Sequence, residues 1–331
     1  MATCPAHVYY LLRMGPMSCD VRCVKAMAAS VAGECIRCSE DFWPNNENDF
    51  CTAKHIEFLS YEDPLGTALA TFSAGFSLLP AVVFCVFMKH HNSPVVKANN
   101  REVSYFLLLT LGLCLLTPLI FIGLPKKETC VFRQPAFGTF FSICVSSILA
   151  KTITVVIAFN ATKPGSHLRN YIGPKVSFTT IFCCSLIQCC ICIIWLSVSP
   201  PFSESDKSYP GKIVIQCNEG SVLMFYLMLA YLGILASVTL IISFLARNLP
   251  DSFNETRFIT FSMIVFISVW FSFIPAYIST KGKCMVAVEI FAIFSSTVGL
   301  LICIFLPKCY IILLRPDMNT RGHIIRQQTT T

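Results

Sequence analysis

Seven long apolar segments dominate this chain of 331 residues and constrain it to fold inside a membrane. A helix of about 20 apolar residues crosses the hydrocarbon core of a bilayer, and every segment is at least that long. Charged residues make up 13% of the chain, whereas an ordinary soluble domain carries roughly 25%. The pattern predicts an all-α membrane protein, a bundle of seven transmembrane helices, with spans at residues 65–88, 103–124, 134–159, 174–198, 221–246, 258–279 and 285–306.

The bundle divides the chain into three predicted parts. Residues 1–60 form a cysteine-rich extracellular segment, residues 61–314 the transmembrane domain and residues 315–331 a cytoplasmic tail. The first residues contain only a short apolar patch that Arg13 interrupts, which is not the pattern of a signal peptide. A head of this length needs a signal peptide to reach the outside of the cell. Because no such pattern is visible, we expect the chain to be incomplete.

Positive charges are distributed unequally between the two sets of loops. By the positive-inside rule, the richer set faces the cytoplasm, so the N-terminus lies outside. We expect a multi-pass protein of the plasma membrane. The richer set, with the tail, has twelve lysines and arginines: Lys89, Lys97, Arg101, Lys163, Arg169, Lys175, Arg247, Arg257, Lys308, Arg315, Arg321 and Arg326. The other set has seven: Lys126, Lys127, Arg133, Lys207, Lys212, Lys281 and Lys283.

This orientation makes a prediction about glycosylation. The two sequons, Asn160-Ala-Thr162 and Asn254-Glu-Thr256, both fall in predicted cytoplasmic loops. We therefore expect neither asparagine to carry a glycan.

The cysteines of the head have two possible roles. The six are Cys4, Cys19, Cys23, Cys35, Cys38 and Cys51. The spacings Cys19-x3-Cys23 and Cys35-x2-Cys38 are compatible with a zinc site, but an extracellular location favours disulfides. Six cysteines allow 15 pairings, so the connectivity stays open.

Two further cysteines lie in predicted outer loops, Cys130 before span 3 and Cys217 before span 5. A disulfide between them would tie the second outer loop over the top of span 3, and the alternative is two unpaired thiols. The cysteines inside span 4 are interpreted as small buried apolar residues. They are Cys183, Cys184, Cys189, Cys190 and Cys192.

Ionisable residues inside a membrane are costly and suggest function. Lys151 lies in span 3, and Glu255 lies at the inner end of span 6. A Lys151–Glu255 ion pair would hold spans 3 and 6 together, and its rupture would be an activation switch. The alternative is a lysine that extends to the membrane surface without a partner.

Four residues near the outer half of the bundle form a candidate pocket or switch. Glu289 in span 7 is a ligand contact, a contact between helices or an interfacial residue. Pro275 permits a kink in span 6, and Trp270, one turn away, is either a rotamer switch or a packed aromatic residue. Tyr277 completes the set.

Several function classes lack their residues in this sequence. The chain has no catalytic constellation, Gly-rich phosphate loop or zinc-protease motif, so we expect no enzyme activity, cofactor or metal centre. The net charge of +7 is spread over loops and predicts no nucleic-acid partner. Seven spans are typical of receptors, whereas transporters more often have paired repeats and matching broken helices, neither of which is visible.

Several stretches together resemble class C G-protein-coupled receptors. The segments CTAKHIEFLSYEDPLG (51–66) and ECIRCSEDFWPN (34–45) are similar to the junction of a cysteine-rich domain with span 1. FNETRFITFSM (253–263), IPAYIST (274–280) and PKCYIIL (307–313) resemble the family's spans 6 and 7. ATKPG (161–165) is similar to the second inner loop of vomeronasal type-2 receptors and their fish olfactory relatives; the calcium-sensing receptor is more distant.

The resemblance implies a ligand-binding Venus-flytrap domain, a cysteine-rich linker and a seven-helix bundle. The expected ligand is an amino acid or a peptide bound by the flytrap, and the expected partners are a heterotrimeric G protein, membrane lipid and a related receptor in a homo- or heterodimer. It also implies the Cys130–Cys217 disulfide, the Lys151–Glu255 contact and a G-protein-facing surface with Lys163, Arg169 and Arg257.

The chain departs from the family pattern in two places. It has no flytrap, and residues 24–34 lack the cysteines that the family has there. Three hypotheses follow: a chemosensory receptor that signals to a G protein, a truncated non-signalling or regulatory receptor fragment, and a membrane transporter.

Overall fold

The computed structural model describes residues 23–25, 35–47, 50–98, 100–161, 173–247 and 255–315. The chain divides into two compact units, which we describe separately. The first comprises residues 1–58 and 203–216, and the second comprises residues 59–202 and 217–331. Cys4, Cys19, Lys163 and Arg169 lie outside the described residues.

The second unit is a helical bundle, and it confirms the predicted fold. The helices are α1 (Pro64–Lys89), α2 (Pro94–Ala98), α3 (Arg101–Leu116), α4 (Pro118–Phe121), α5 (Lys127–Ala161), α6 (Pro174–Val198), α7 (Val222–Ala246), α8 (Glu255–Ser279) and α9 (Lys283–Leu314). Within the described ranges, seven helical segments are long and apolar enough to cross a membrane, with α3 and α4 counted as one.

Local chemistry sets several helix boundaries. Proline occupies the start of α1 and of α6, where its missing N–H would have no partner within the helix. Ser221 caps α7, since its side chain accepts a hydrogen bond from the Met224 N–H at 3.4 Å. Pro118 separates α3 from α4 because it cannot donate a backbone hydrogen bond to the preceding turn.

Two spans are much longer than predicted. The expected start of span 3 at residue 134 and the end of span 7 at residue 306 were wrong, because α5 begins at Lys127 and α9 ends at Leu314. Arg133 and Lys308, which we assigned to loops, lie in these helices and are each only 4% exposed. Each has a carboxylate partner, so burial is tolerated. The direction of the charge asymmetry is unchanged, because the spanning helices contain five residues of the richer set and three of the other: Lys89, Arg101, Lys175, Arg257 and Lys308, and Lys127, Arg133 and Lys283.

Helix α5 is the most buried span, and α1 is the least buried. Helix α5 packs against α3, α6 and α7, so its side chains form the centre of the bundle. Large apolar side chains remain exposed on other helices, including Val198, Leu245 and Phe271, which is 78% exposed. A soluble protein seldom exposes so many apolar residues, and a bilayer solvates them.

The first unit is built from short strands, which the sequence analysis did not predict. The strands are β1 (Cys23–Lys25), β2 (Cys35–Arg37), β3 (Phe42–Pro44), β4 (Cys51–Ala53), β5 (His55–Glu57), β6 (Phe202–Asp206) and β7 (Lys212–Asn218). Antiparallel pairs join β1 to β2 and β3 to β4, and β7 lies between β5 and β6 in a third sheet.

Residues 203–216 of the connection between α6 and α7 belong to this unit. Strand β5 runs parallel to β7, with Ile56 opposite Ile213. Lys212 Nζ lies 2.6 Å from Glu57 Oε2, and Lys207 Nζ lies 2.6 Å from Asp41 Oδ1. The hydrogen bond to Asp41 raises the pKa of Lys207. Residues 203–216, which we placed in the transmembrane domain, therefore pack with the head.

The head also contains a disulfide, between Cys38 and Cys51, with the Cα atoms 5.8 Å apart. An oxidised Cys38 provides no thiolate for a metal, so the zinc interpretation of Cys35-x2-Cys38 is not supported. Cys23 and Cys35 lie in β1 and β2.

Candidate functional site

The functional candidates lie in two groups on the long helix α5. Arg133 marks one end of the bundle, which we call the disulfide end because Cys130 lies one turn earlier. Lys151 marks the other, which we call the lysine end. The two residues are 18 positions apart, or about 27 Å at 1.5 Å per helical residue.

A disulfide joins Cys130 in the first turn of α5 to Cys217 in β7, with the Cα atoms 5.5 Å apart. The segment that follows Cys217 is held by two further contacts. Trp195 Nε1 of α6 donates to the Glu219 carbonyl at 3.0 Å, and the Tyr277 hydroxyl of α8 donates to the Glu219 carboxylate. The connection between β7 and α7 is thus fixed to three helices.

Glu289 contacts α5 through a buried ion pair. Arg133 Nη2 donates to Glu289 Oε2 at 2.5 Å, and Gln134 Nε2 donates to Glu289 Oε1 at 2.8 Å. The Arg133 guanidinium also lies 4.4 Å from the centre of the Phe121 ring. Of the three interpretations of Glu289, the structure favours a contact between helices.

Sequence reasoning missed Arg133 and Gln134 as site residues. We ended the outer loop at Arg133 because hydropathy treats a charge as the end of a span. The position of Arg133 one turn after Cys130, on the helix that carries Lys151, was the available signal.

Trp270 lies in a cluster of aromatic rings beside this ion pair. Its ring centre is 5.1 Å from Phe137, 5.8 Å from Phe141 and 5.1 Å from Phe273. Trp270 and Glu289 both line a cavity of ≈ 10 Å³, which has room for about one water molecule. A larger ligand would require the bundle to expand at this point.

The other two predicted pocket residues do not line this cavity. Tyr277 packs on Phe273 and Phe225, with ring centres 5.2 Å and 5.5 Å away. Pro275 is exposed on the outer surface of α8, which continues through it to Ser279. The structure therefore brings Trp270 and Glu289 together and places Pro275 outside the pocket.

At the lysine end, three helices meet at one carboxylate. Lys151 Nζ of α5 lies 3.3 Å from Glu255 Oε1, and Lys308 Nζ of α9 lies 2.7 Å from the same oxygen. Lys151 also donates to Ser104 Oγ of α3 at 2.8 Å. The exposed fractions of Lys151, Glu255 and Lys308 are 2%, 8% and 4%.

This network contains the Lys151–Glu255 contact that we predicted and two members that we did not. Lys308 was missed because we ended span 7 at residue 306, and Ser104 was missed because a single serine in an apolar span is unremarkable by pattern. Arg257 is exposed in the first turn of α8, two residues from Glu255. The lysine end therefore combines a buried ionic contact with an exposed cation.

Comparison with known proteins identifies the family. The family profile described as "7 transmembrane sweet-taste receptor of 3 GCPR" matches residues 59–308. The chain is 50% identical over 313 residues to vomeronasal type-2 receptor 26 of Mus musculus, an alignment that covers 93% of this chain and 37% of that protein. It is 47% identical over 312 residues to vomeronasal type-2 receptor 116 of Mus musculus, covering 92% of this chain and 36% of that protein.

A third relative is the extracellular calcium-sensing receptor of Homo sapiens, 46% identical over 271 residues, with 82% of this chain and 25% of that protein covered. The chain thus spans about a quarter to somewhat more than a third of the length of these relatives. The family is one of multi-pass plasma-membrane receptors and not of enzymes. Because the profile match covers most of the seven-helix bundle, the chain belongs to the class C, or family 3, G-protein-coupled receptors.

Proposed function

We propose that the chain is the signalling part of a chemosensory class C receptor, which transmits an extracellular ligand signal to a heterotrimeric G protein. The observation that carries this proposal is the contact of Lys151 and Lys308 with Glu255 at the lysine end. Family membership and the vomeronasal relatives support the receptor class.

The network suits a conformational switch because it joins α5, α8 and α9 at one point. Opposite charges in a medium of low dielectric attract strongly, and a buried charge that loses its partner is costly. The helices therefore favour either the closed contact or an arrangement in which these side chains reach water. A ligand that favours the second arrangement would move α8 at the lysine end.

The proposed orientation places the N-terminus outside the cell and the lysine end at the cytoplasm. The unequal distribution of loop charges supports it. Arg257 would then face the G protein, and we propose the same role for Lys163 and Arg169. Membrane lipid surrounds the exposed apolar faces in this proposal.

An amino acid or a peptide is the proposed class of agonist, bound by a Venus-flytrap domain rather than by the described residues. The small cavity of ≈ 10 Å³ beside Glu289 supports recognition elsewhere. We also propose that the bundle pairs with a related receptor in a homo- or heterodimer. Membership of a receptor family argues against the transporter hypothesis.

A chimera that carries the flytrap and linker of a vomeronasal relative tests the proposal. We expect its agonist to activate a G protein in cells, and Glu255→Gln to raise the agonist-free signal severalfold. Asp63→Asn is the matched control, because Asp63 forms a partly exposed pair with Lys283 at 3.1 Å and should leave that signal unchanged. A chimera that reaches the cell surface, binds agonist and activates no G protein would refute the proposal.

A further inference from the structure

A further cavity lies within the first compact unit and belongs to neither group of residues on α5. It has a volume of ≈ 490 Å³, which is in the range of sites that hold small organic ligands. Three separate segments form its walls: residues 37–40 with 42 and 43, Lys54 between β4 and β5, and Lys207 with Ser208 between β6 and β7. We call this cavity the head pocket.

The walls of the head pocket contain more cations than anions. Three basic residues, Arg37, Lys54 and Lys207, line it together with one acidic residue, Glu40. Lys207 already has a carboxylate partner, since its Nζ lies 2.6 Å from Asp41 Oδ1. Among the described residues, neither Arg37 nor Lys54 forms an ion pair, so two positive charges of the pocket are not neutralised.

These two cations also have unused hydrogen-bond donors. A lysine ammonium has three N–H groups, and Lys54 Nζ uses one of them for the Lys207 carbonyl at 2.7 Å. The Arg37 side chain is exposed, and a guanidinium presents its N–H groups as a planar fork that matches a carboxylate. The polar part of the head pocket is therefore suited to an anion.

An aromatic wall lies beside the cations. Lys54 Nζ is 6.0 Å from the centre of the Trp43 ring, and Phe42, which is 43% exposed, also lines the pocket. A flat apolar group attached to an anion at Lys54 would therefore lie against an aromatic surface. The disulfide between Cys38 and Cys51 ties the end of β2 to β4 and fixes part of this wall before a ligand binds.

We propose that the head pocket binds a small organic anion that carries an aromatic ring, such as an aryl carboxylate. Arg37 and Lys54 contact the carboxylate in this proposal, and Trp43 contacts the ring. Because the walls come from the N-terminal segment and from residues 203–216, a bound anion would hold these two parts of the unit together. The proposal does not rest on the signalling function, since it concerns binding alone.

The probe para-fluorobenzoate suits this pocket, because it has one ring and one carboxylate and its fluorine is observed by NMR. The purified chain in nanodiscs of zwitterionic lipid is titrated with the probe, and empty nanodiscs give the background. We expect saturable broadening of the fluorine signal and an affinity that falls as salt is added. The neutral analogue para-fluorobenzamide should bind at least tenfold more weakly, and acetate, which lacks the ring, should compete poorly.

Protection from acetylation locates the bound probe. Saturating para-fluorobenzoate should slow the reaction of the Lys54 amine with acetic anhydride, because the carboxylate covers it. Lys281, an exposed lysine between α8 and α9, should react at an unchanged rate. Mass spectrometry of the digested chain measures both amines in one sample.

Two variants test the proposed contacts. Arg37→Met and Lys54→Met each keep an apolar stem and remove the charge, and each should weaken binding about tenfold, the effect of one charge-assisted hydrogen bond. Lys281→Met is the matched control and should bind the probe as the unaltered chain does. An intact Cys38–Cys51 disulfide, detected by mass spectrometry, shows that the variants have folded.

Each part of the proposal has a result that would overturn it. A titration without saturable binding, or acetylation of Lys54 that the probe does not slow, would refute the head pocket as the site. Equal binding of para-fluorobenzamide, or unchanged affinity in both Arg37→Met and Lys54→Met, would refute recognition of the anion. Acetate that competes as well as unlabelled benzoate would refute the contact of the ring with Trp43.

Discussion

The ion pair between Arg133 of α5 and Glu289 of α9 holds these two helices together at the disulfide end. Both side chains are buried, and their atoms approach to 2.5 Å. Removing one partner of a buried pair leaves an uncompensated charge, so we expect Arg133→Met to lower the free energy of unfolding by about 3–5 kcal/mol. Thermal unfolding of the detergent-solubilised chain measures the loss.

The double variant Arg133→Met/Glu289→Met is the informative control. Because it removes both charges, it should recover most of the stability that Arg133→Met loses. Lys283→Met, which breaks a partly exposed pair with Asp63, should cost no more than about 1 kcal/mol. Equal losses in the single and double variants would show that the ion pair is not the cause.

The stability of the bundle also depends on Gly138, where the reason is close packing and not charge. A Cβ at Gly138 would lie 2.6 Å from Met228 Sδ and 2.9 Å from Gln188 Nε2, so α5 approaches its neighbours too closely for a larger residue. Gly138→Ala should destabilise the bundle by about 1–3 kcal/mol. At Gly75 nothing lies within 4 Å, and Gly75→Ala should be neutral or stabilise α1 by up to about 1 kcal/mol. Thermal unfolding that ranks the two variants in the opposite order would contradict this packing argument.

At the scale of elements, the disulfide restrains where α5 begins relative to the segment that precedes α7. Cys130 and Cys217 are 87 residues apart, and closing so long a loop in the unfolded chain stabilises the folded one by about 2–4 kcal/mol. The variant Cys130→Ser/Cys217→Ser should lose that amount in thermal unfolding. Cys85→Ser, at an exposed free thiol of α1, should lose little stability. Equal losses in the two variants would show that the disulfide is not the cause of the stabilisation.

Some helices and strands of this fold were predictable from the sequence, and others were not. The seven spans were predictable because the bilayer requires long apolar helices with internally paired backbones. The ends of α5 and α9 were not, because hydropathy cannot show that Arg133 and Lys308 have buried carboxylate partners on other helices. The pairing of β5 with β7 was equally hidden, since the three residues of β5 have no periodicity to detect and the partner strand is remote in sequence.

In the candidate site, too, some contacts were predictable from the sequence and others were not. The Lys151–Glu255 contact was predictable because two opposite charges in apolar spans have few partners available. The pairing of Cys130 with Cys217 followed from their places in two outer loops and from the family resemblance. Lys308, Ser104 and Gln134 depend on how the helices are rotated about their axes, which the sequence of one helix does not specify.

At the scale of the whole molecule, the orientation in the membrane determines which end of the bundle meets a G protein. Asp206→Asn tests it with one substitution, because it places an Asn-Lys-Ser sequon at residues 206–208, on the strand that follows α6. N-glycans are added on the side that becomes extracellular, so we expect this variant to gain a glycan that shifts its mobility on a gel and that a glycosidase removes. Asn160 and Asn254, which the loop charges predict to be cytoplasmic, are built-in controls and should stay unmodified. A glycan on either of them, with none at residue 206, would reverse the orientation and place the disulfide end, not the lysine end, at the cytoplasm.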